Sequence, residues 1–177
     1  MLQTLKNAWK TKDIRNKIIF TFFILVLYRI GTVIPVPFVE ANNFSSYFGD
    51  TILGYMNTLS GGSLATATLF ALGVSPYINA SIIIQLLGVV FPAFGNLAKD
   101  DKEKMNFITR IFTVVLAIVT ALGYYFLLKN NNMLTNAATS KDNPASFWFY
   151  GIVIVACYVA GASIIMWLAE RDRKSVV

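Results

Sequence analysis

The sequence predicts an all-α, multi-pass transmembrane helical bundle with a broken second span and a re-entrant helical segment before the break. Three observations carry this reading. Hydrophobic residues make up 56% of the 177 and charged residues only 14%, with a mean hydropathy of +0.60; soluble domains carry about 25% charged residues. The Lys and Arg residues fall in short clusters separated by long uncharged runs. The longest of those runs is interrupted by Gly73 and Pro76, the two residue types that most readily break a helix.

Composition also excludes chemistry. The chain has no His, so imidazole catalysis and His-ligated metal sites are absent. Its single Cys, Cys157, allows neither an intrachain disulfide nor a cysteine-cluster metal site. No phosphate loop or paired nucleophile and base is present, so the reading is a non-enzyme without cofactor or metal. The net charge of +6 fits topology better than nucleic acid, because the cations sit at the ends of apolar runs.

Residues 1–17 carry Lys6, Lys10, Lys12, Arg15 and Lys17. Leu2, Leu5 and Trp9 share one helical face there, as in an interfacial helix on an anionic leaflet; a disordered basic tail is the competing reading. The first span is 18–35, interrupted by Arg29 and ending in Pro35-Val36-Pro37 without a small-residue cleavage site. Arg29 lies six residues before Pro35, within snorkelling reach of an interface. It either snorkels or caps carbonyls, or it faces an aqueous pathway. An external loop, 36–56, follows.

The run 51–98 holds 48 residues without a charge. Its apolar part, 64–94, would extend about 46 Å as one helix, too long for a single crossing of about 30 Å. Two pieces are predicted, about 63–72 and 76–91, with span two at 74–94. Parity decides which crosses. If both did, the cluster Lys99, Lys102, Lys104 and Arg110 would share a side with the cation-free stretch 35–63, against the positive-inside rule. So 57–73 is re-entrant and only the second piece traverses. The cytoplasmic loop is then 95–106, span three 107–128, the external loop 129–145, span four 146–169 and the cytoplasmic tail 170–177. This places twelve Lys and Arg inside and two outside, with Arg29 in the membrane.

Irregular backbone at membrane depth is tolerated where protein buries it or water reaches it, so the break marks a cavity near the midplane. A plain kink is the bland alternative. Val74 and Ile78, four apart and branched, suit a hydrophobic constriction or ordinary packing. Asn79 and Gln85 need partners in an Ile-rich helix, or line a polar seam between helices that can part.

These residues resemble the SecY family, the channel subunit of the bacterial Sec translocon. Tyr28-Arg29-Ile30-Gly31 followed by Ile34-Pro35-Val36-Pro37 is similar to the end of that family's first span. The stretch 57–73, with Ser60-Gly61-Gly62 and Leu69-Phe70-Ala71-Leu72-Gly73, is similar to its plug. Pro76-Tyr77-Ile78-Asn79-Ala80-Ser81-Ile82-Ile83-Ile84-Gln85-Leu86-Leu87 is the most specific match, and Met166-Trp167-Leu168-Ala169-Glu170 resembles the end of the fourth span.

The resemblance implies a protein-conducting channel of ten spans, closed by an apolar ring and blocked from outside by a re-entrant plug helix. Val74 and Ile78 match ring positions. Asn57, Leu59, Ser60, Gly61, Gly62, Leu64, Leu69 and Phe70 fall in the plug. Asn79, Ile82 and Gln85 are candidates for one face of the lateral gate. Implied partners are SecE, SecG, the SecA motor, the ribosome, signal sequences, unfolded preproteins and membrane lipid. The implied location is the bacterial plasma membrane with both termini cytoplasmic. Three departures stand out. Phe38 replaces the family's usual Gly, the 95–106 loop lacks the usual glycines, and Arg171-Asp172-Arg173-Lys174-Ser175-Val176-Val177 replaces the family's continuation. The resulting expectation is an amino-terminal fragment with about four of ten spans. Half of a small-molecule transporter is the alternative. It would want a charged pocket beside the break, where this chain has Ser75, Tyr77 and Asn79. A non-transporting scaffold would not need the break.

Overall fold

The computed structural model describes residues 12–40, 52–91, 94–95, 101–135 and 144–176. The interfacial face of Leu2, Leu5 and Trp9 lies outside these, as do Lys99 and Lys141. Five helices are named here in chain order: α1 Lys12–Gly31, α2 Ile52–Leu59, α3 Ser75–Val90, α4 Lys102–Asn130 and α5 Pro144–Val176. Among the described residues there is no extended sheet, only isolated bridges between Pro35 and Thr68 and between Val39 and Leu134.

The helices α4 and α5 form an antiparallel pair at the centre. α3 packs mainly on α4 and slightly on α5, and α1 packs on α5. The interface of the central pair is built from Ala117, Ala121, Tyr124 and Leu128 on α4 and from Ile154, Tyr158, Ala162 and Ile165 on α5, all buried. The small residues let the backbones approach, which is how helices associate where lipid removes the hydrophobic drive. The outer face of α4 carries Phe107, Ile111, Val115, Val119, Leu122 and Phe126, all exposed. An exposed apolar stripe of that length is unstable in water and comfortable in lipid. Segments Glu103–Asn130 and Trp148–Arg173 are long and apolar enough to cross a membrane, with mean hydropathies of 2.3 and 2.4. The protein is an all-α membrane protein.

Both central helices outrun a bilayer. At 29 and 33 residues they extend about 43 and 50 Å. α4 starts inside the stretch read as the 95–106 loop because Asp101 caps it, accepting from the Lys104 N–H at 3.2 Å. The Lys104 ammonium, 2.9 Å from the carboxylate, acts together with that bond to hold the Asp101 carboxyl below its ordinary pKa. α5 continues past 169 into the tail. There Glu170 meets Arg110 of α4, and Asp172 accepts from the Thr21 hydroxyl of α1 at 2.7 Å.

The predicted helix over 63–72 is not formed; the helical residues of this region come earlier, in Ile52–Leu59, and 60–74 is a chain of turns. The reason is local. Ala67, inside the stretch, has a positive φ of 48°, and Gly61, Gly62 and Gly73 flank it at 67°, 86° and 57°, values that α-helix does not use. Ser and Thr side chains also compete for the backbone: Ser63 Oγ donates to the Ser60 carbonyl at 2.8 Å, and Thr68 Oγ1 to that of Ser63 at 3.3 Å. The chain resumes as helix at Ser75, with Pro76 in the first turn, where a missing N–H costs nothing.

Candidate functional site

The residues 63–72 are drawn into the core against the C-terminal part of α4 and the middle of α5. Ala65, Ala67 and Ala71 are buried in the same cluster as Tyr124, Leu128, Ile154 and Tyr158. From α4, the Tyr124 hydroxyl donates to the Leu64 carbonyl; from α5, the Tyr158 hydroxyl donates to the Ala67 carbonyl at 3.4 Å. The stretch after α1 adds backbone bonds, Leu69 N–H to Ile34 at 2.9 Å and Val36 N–H to Ala67 at 3.3 Å.

Next to this buried segment is a cavity of ≈ 540 Å³. Its walls are Val74, Ser75, Pro76 and Ile78 from the start of α3, Met56, Ser60, Leu64, Ala71, Leu72 and Gly73 from the segment before it, Thr120, Gly123, Tyr124 and Leu127 from α4, and Tyr28 from α1. None of the lining residues is charged. Val74 and Ile78 therefore share a wall with Ser60 and Leu64, although a run of turns separates Ser60 from Val74 in the chain. Two branched apolar side chains on an uncharged cavity lining are compatible with closure by dewetting.

The other sequence-predicted residues fall in distinct places. Asn57 lies in α2; its Oδ1 accepts from the Ala65 N–H at 2.8 Å, and its carbonyl accepts from Gly62 at 2.8 Å. Leu59 ends α2. Phe70 is buried, stacked on Tyr28 at 5.8 Å between centroids and pressed on Gly31, where a Cβ would meet its ring. The Leu69 carbonyl fills the space a Cβ at Gly161 would take. Arg29 is exposed and donates to the Gly61 carbonyl at 3.4 Å. Asn79, Ile82 and Gln85 are exposed on α3 and do not line the 540 Å³ cavity. Gln85 instead lines a second cavity of ≈ 370 Å³, with Tyr77, Ser81, Asn106, Thr109, Glu170 and Arg173.

Three features escaped the sequence reading. Tyr124 and Tyr158 are polar tips inside apolar helices, and each had to find a partner; that requirement was the available signal. The third is the pair Arg110–Glu170. Arg110 Nε lies 2.9 Å from Oε1 and a second nitrogen reaches Oε2, with Glu170 nearly buried. Sixty residues separate the two, so no local pattern announces the pairing.

A family model described as SecY matches residues 68–175. Among curated proteins, the chain is 37% identical over 176 residues to the protein translocase subunit SecY of Staphylococcus carnosus (strain TM300), a match covering 97% of this chain and 40% of that protein. It is 38% identical to the subunit of the same name from Bacillus licheniformis, covering 97% of this chain and 39% of that one, and 37% identical to that of Bacillus subtilis (strain 168), with 97% and 39% covered. The chain thus spans about two fifths of the length of the relatives it matches.

Proposed function

The chain belongs to the SecY family, and on that premise we propose that it forms part of the central protein-conducting channel of a Sec translocase. The channel passes unfolded preproteins across the plasma membrane and releases membrane proteins sideways into it. The observation that carries this reading is the uncharged cavity lined by Val74 and Ile78 together with Met56, Ser60 and Leu64 of the segment before them. Val74 and Ile78 contribute to a ring that seals by excluding water. The segment 57–71 acts as the plug that covers it. A transporter of small polar solutes would want charge or a dense polar set in that wall, and the lining supports the seal instead.

Four spans and two cytoplasmic termini follow from the Lys and Arg asymmetry. α3 presents Asn79, Ile82 and Gln85 on an exposed face, which suits one side of a lateral gate where signal sequences meet lipid. SecE, SecG, the SecA motor and the ribosome are the proposed partners. The test is ion conductance of the channel containing this chain in planar bilayers. Val74→Ser with Ile78→Ser wets the constriction and raises resting leak at normal protein level. Unchanged conductance rejects the ring.

A further inference from the structure

The segment before α3 is held very unevenly along its length. Its second half, 63–72, is tied to three parts of the molecule: to α4 through Tyr124 and Leu64, to α5 through Tyr158 and Ala67, and to the stretch after α1 through Leu69 with Ile34 and Val36 with Ala67. Ala67 sits at φ 48°, a conformation that an L-residue keeps only when its surroundings hold it there. Both bonds to its carbonyl, from Val36 N–H and from the Tyr158 hydroxyl, do that holding. The first half is different. α2 packs on none of the other described helices, and Ile52, Tyr55 and Met56 are exposed. Its described ties to the turns that succeed it are local, chiefly Asn57 Oδ1 with the Ala65 N–H and the Asn57 carbonyl with the Gly62 N–H. Between the halves stand Gly61 and Gly62, both at positive φ, and a Cβ at Gly62 would meet nothing within 4 Å.

We propose that Tyr124 and Tyr158 are positioning residues that clamp 63–72 as a fixed stem, so that plug displacement is confined to a head, α2, turning about Gly61-Gly62. This rests on the plug reading above and narrows it: Leu64, Leu69 and Phe70 belong to the anchored wall, and Asn57 and Leu59 to the part that moves. In an apolar interior a carbonyl that loses its hydroxyl partner gains no water in exchange, so the clamp holds more firmly than its bond lengths alone imply. Opening the head breaks the Asn57 ties and the bonds that cross the hinge to Ser60 from Ser63 and Leu64, and leaves the stem bonds to α4, α5 and the stretch after α1 made. Val74, joined directly to the stem, then keeps its place in the seal as the head leaves.

The experiment uses the channel containing this chain in nanodiscs, with hydrogen exchange read by mass spectrometry and conductance read in planar bilayers. In the unmodified protein, amides from 64 to 69 exchange slowly and those of α2 exchange fast. Tyr124→Phe combined with Tyr158→Phe speeds 64–69 by about fivefold to thirtyfold, and speeds α4 and α5 less. Two tethers, made with a short bifunctional thiol reagent in a Cys157→Ser background, then separate head from stem. Joining Met56→Cys to Thr120→Cys abolishes the conductance evoked by a synthetic signal peptide; joining Ile34→Cys to Leu69→Cys leaves it intact. Equal exchange of 52–59 and 64–69, or a stem tether that blocks as fully as the head tether, overturns the proposal. Slow stem exchange with a head tether that changes no conductance upholds the clamp and rejects the plug reading on which its purpose depends.

Discussion

Arg110→Ala tests how the two central helices are joined at the end opposite the core. The pair joins α4 to α5 through two charge-assisted hydrogen bonds, with the Glu170 side chain 8% exposed and that of Arg110 43% exposed. Each such bond contributes about 1.5–3 kcal/mol where water does not compete, so the pair starts from about 3–6 kcal/mol. The half-open guanidinium is partly screened, which discounts the figure to about 2–4 kcal/mol. Most of that loss comes from stranding a nearly buried carboxylate without its cation. Arg110→Lys keeps the charge but loses the planar fork, and falls between Ala and the parent. Arg110→Met with Glu170→Leu removes both charges and recovers most of the loss, so the double variant departs from additivity by more than about 1 kcal/mol. The assay is reversible unfolding of the purified protein in mixed detergent micelles, with the parent, Arg110→Met, Glu170→Leu and the double variant forming the four arms of a double-mutant cycle. Additivity within about 0.5 kcal/mol would show that the two side chains act separately, and would refute the coupling of Arg110 to Glu170.

Three further outcomes follow, two from the packing and one from the charge asymmetry. Gly161→Ala places a Cβ against the Leu69 carbonyl, which is backbone, whereas Gly31→Ala meets only the Phe70 ring; the first costs about 1–3 kcal/mol and the second less, read as loss of melting temperature in detergent. Phe38, at φ 67° and 4.7 Å from the Tyr150 ring, makes Phe38→Ala less stable than Phe38→Gly by about 1 kcal/mol, because both lose the ring contact and only Ala keeps the backbone strain. Single cysteines at Asn106 and Asn131, in a Cys157→Ser background, react with a membrane-impermeant maleimide from opposite sides; labelling of both from one side rejects the four-span topology.

Much of the architecture was legible in one dimension, because burying charge in lipid is costly enough to leave a mark on the linear sequence. The uncharged runs 111–128 and 143–169 correspond to α4 and α5. The steric limits of Gly73 and Pro76 act on their own neighbours, so a helix starting near 76 was readable as well; it starts at Ser75. Val74 and Ile78 were picked out by their spacing, their branched apolar side chains and the family resemblance, and both line the 540 Å³ cavity. The helix expected over 63–72 failed on hydropathy-based reasoning because Ser63, Thr66 and Thr68 use their hydroxyls on nearby carbonyls. A composition count sees them only as weakly apolar.

By itself, then, the sequence determined that this is an all-α membrane protein, which stretches avoid water, where the long helix must break and which ends carry the positive charge. Each is a property of residues near one another in the chain. Tertiary structure alone decided that Tyr124 and Tyr158 reach the carbonyls of Leu64 and Ala67, 60 and 91 residues away. It decided that Arg110 closes on Glu170, and that Phe38 accepts a left-handed backbone beside Tyr150. A polar group in an apolar bundle must find a partner, but which partner depends on how helices distant in sequence cross, and that is set only when the whole bundle packs.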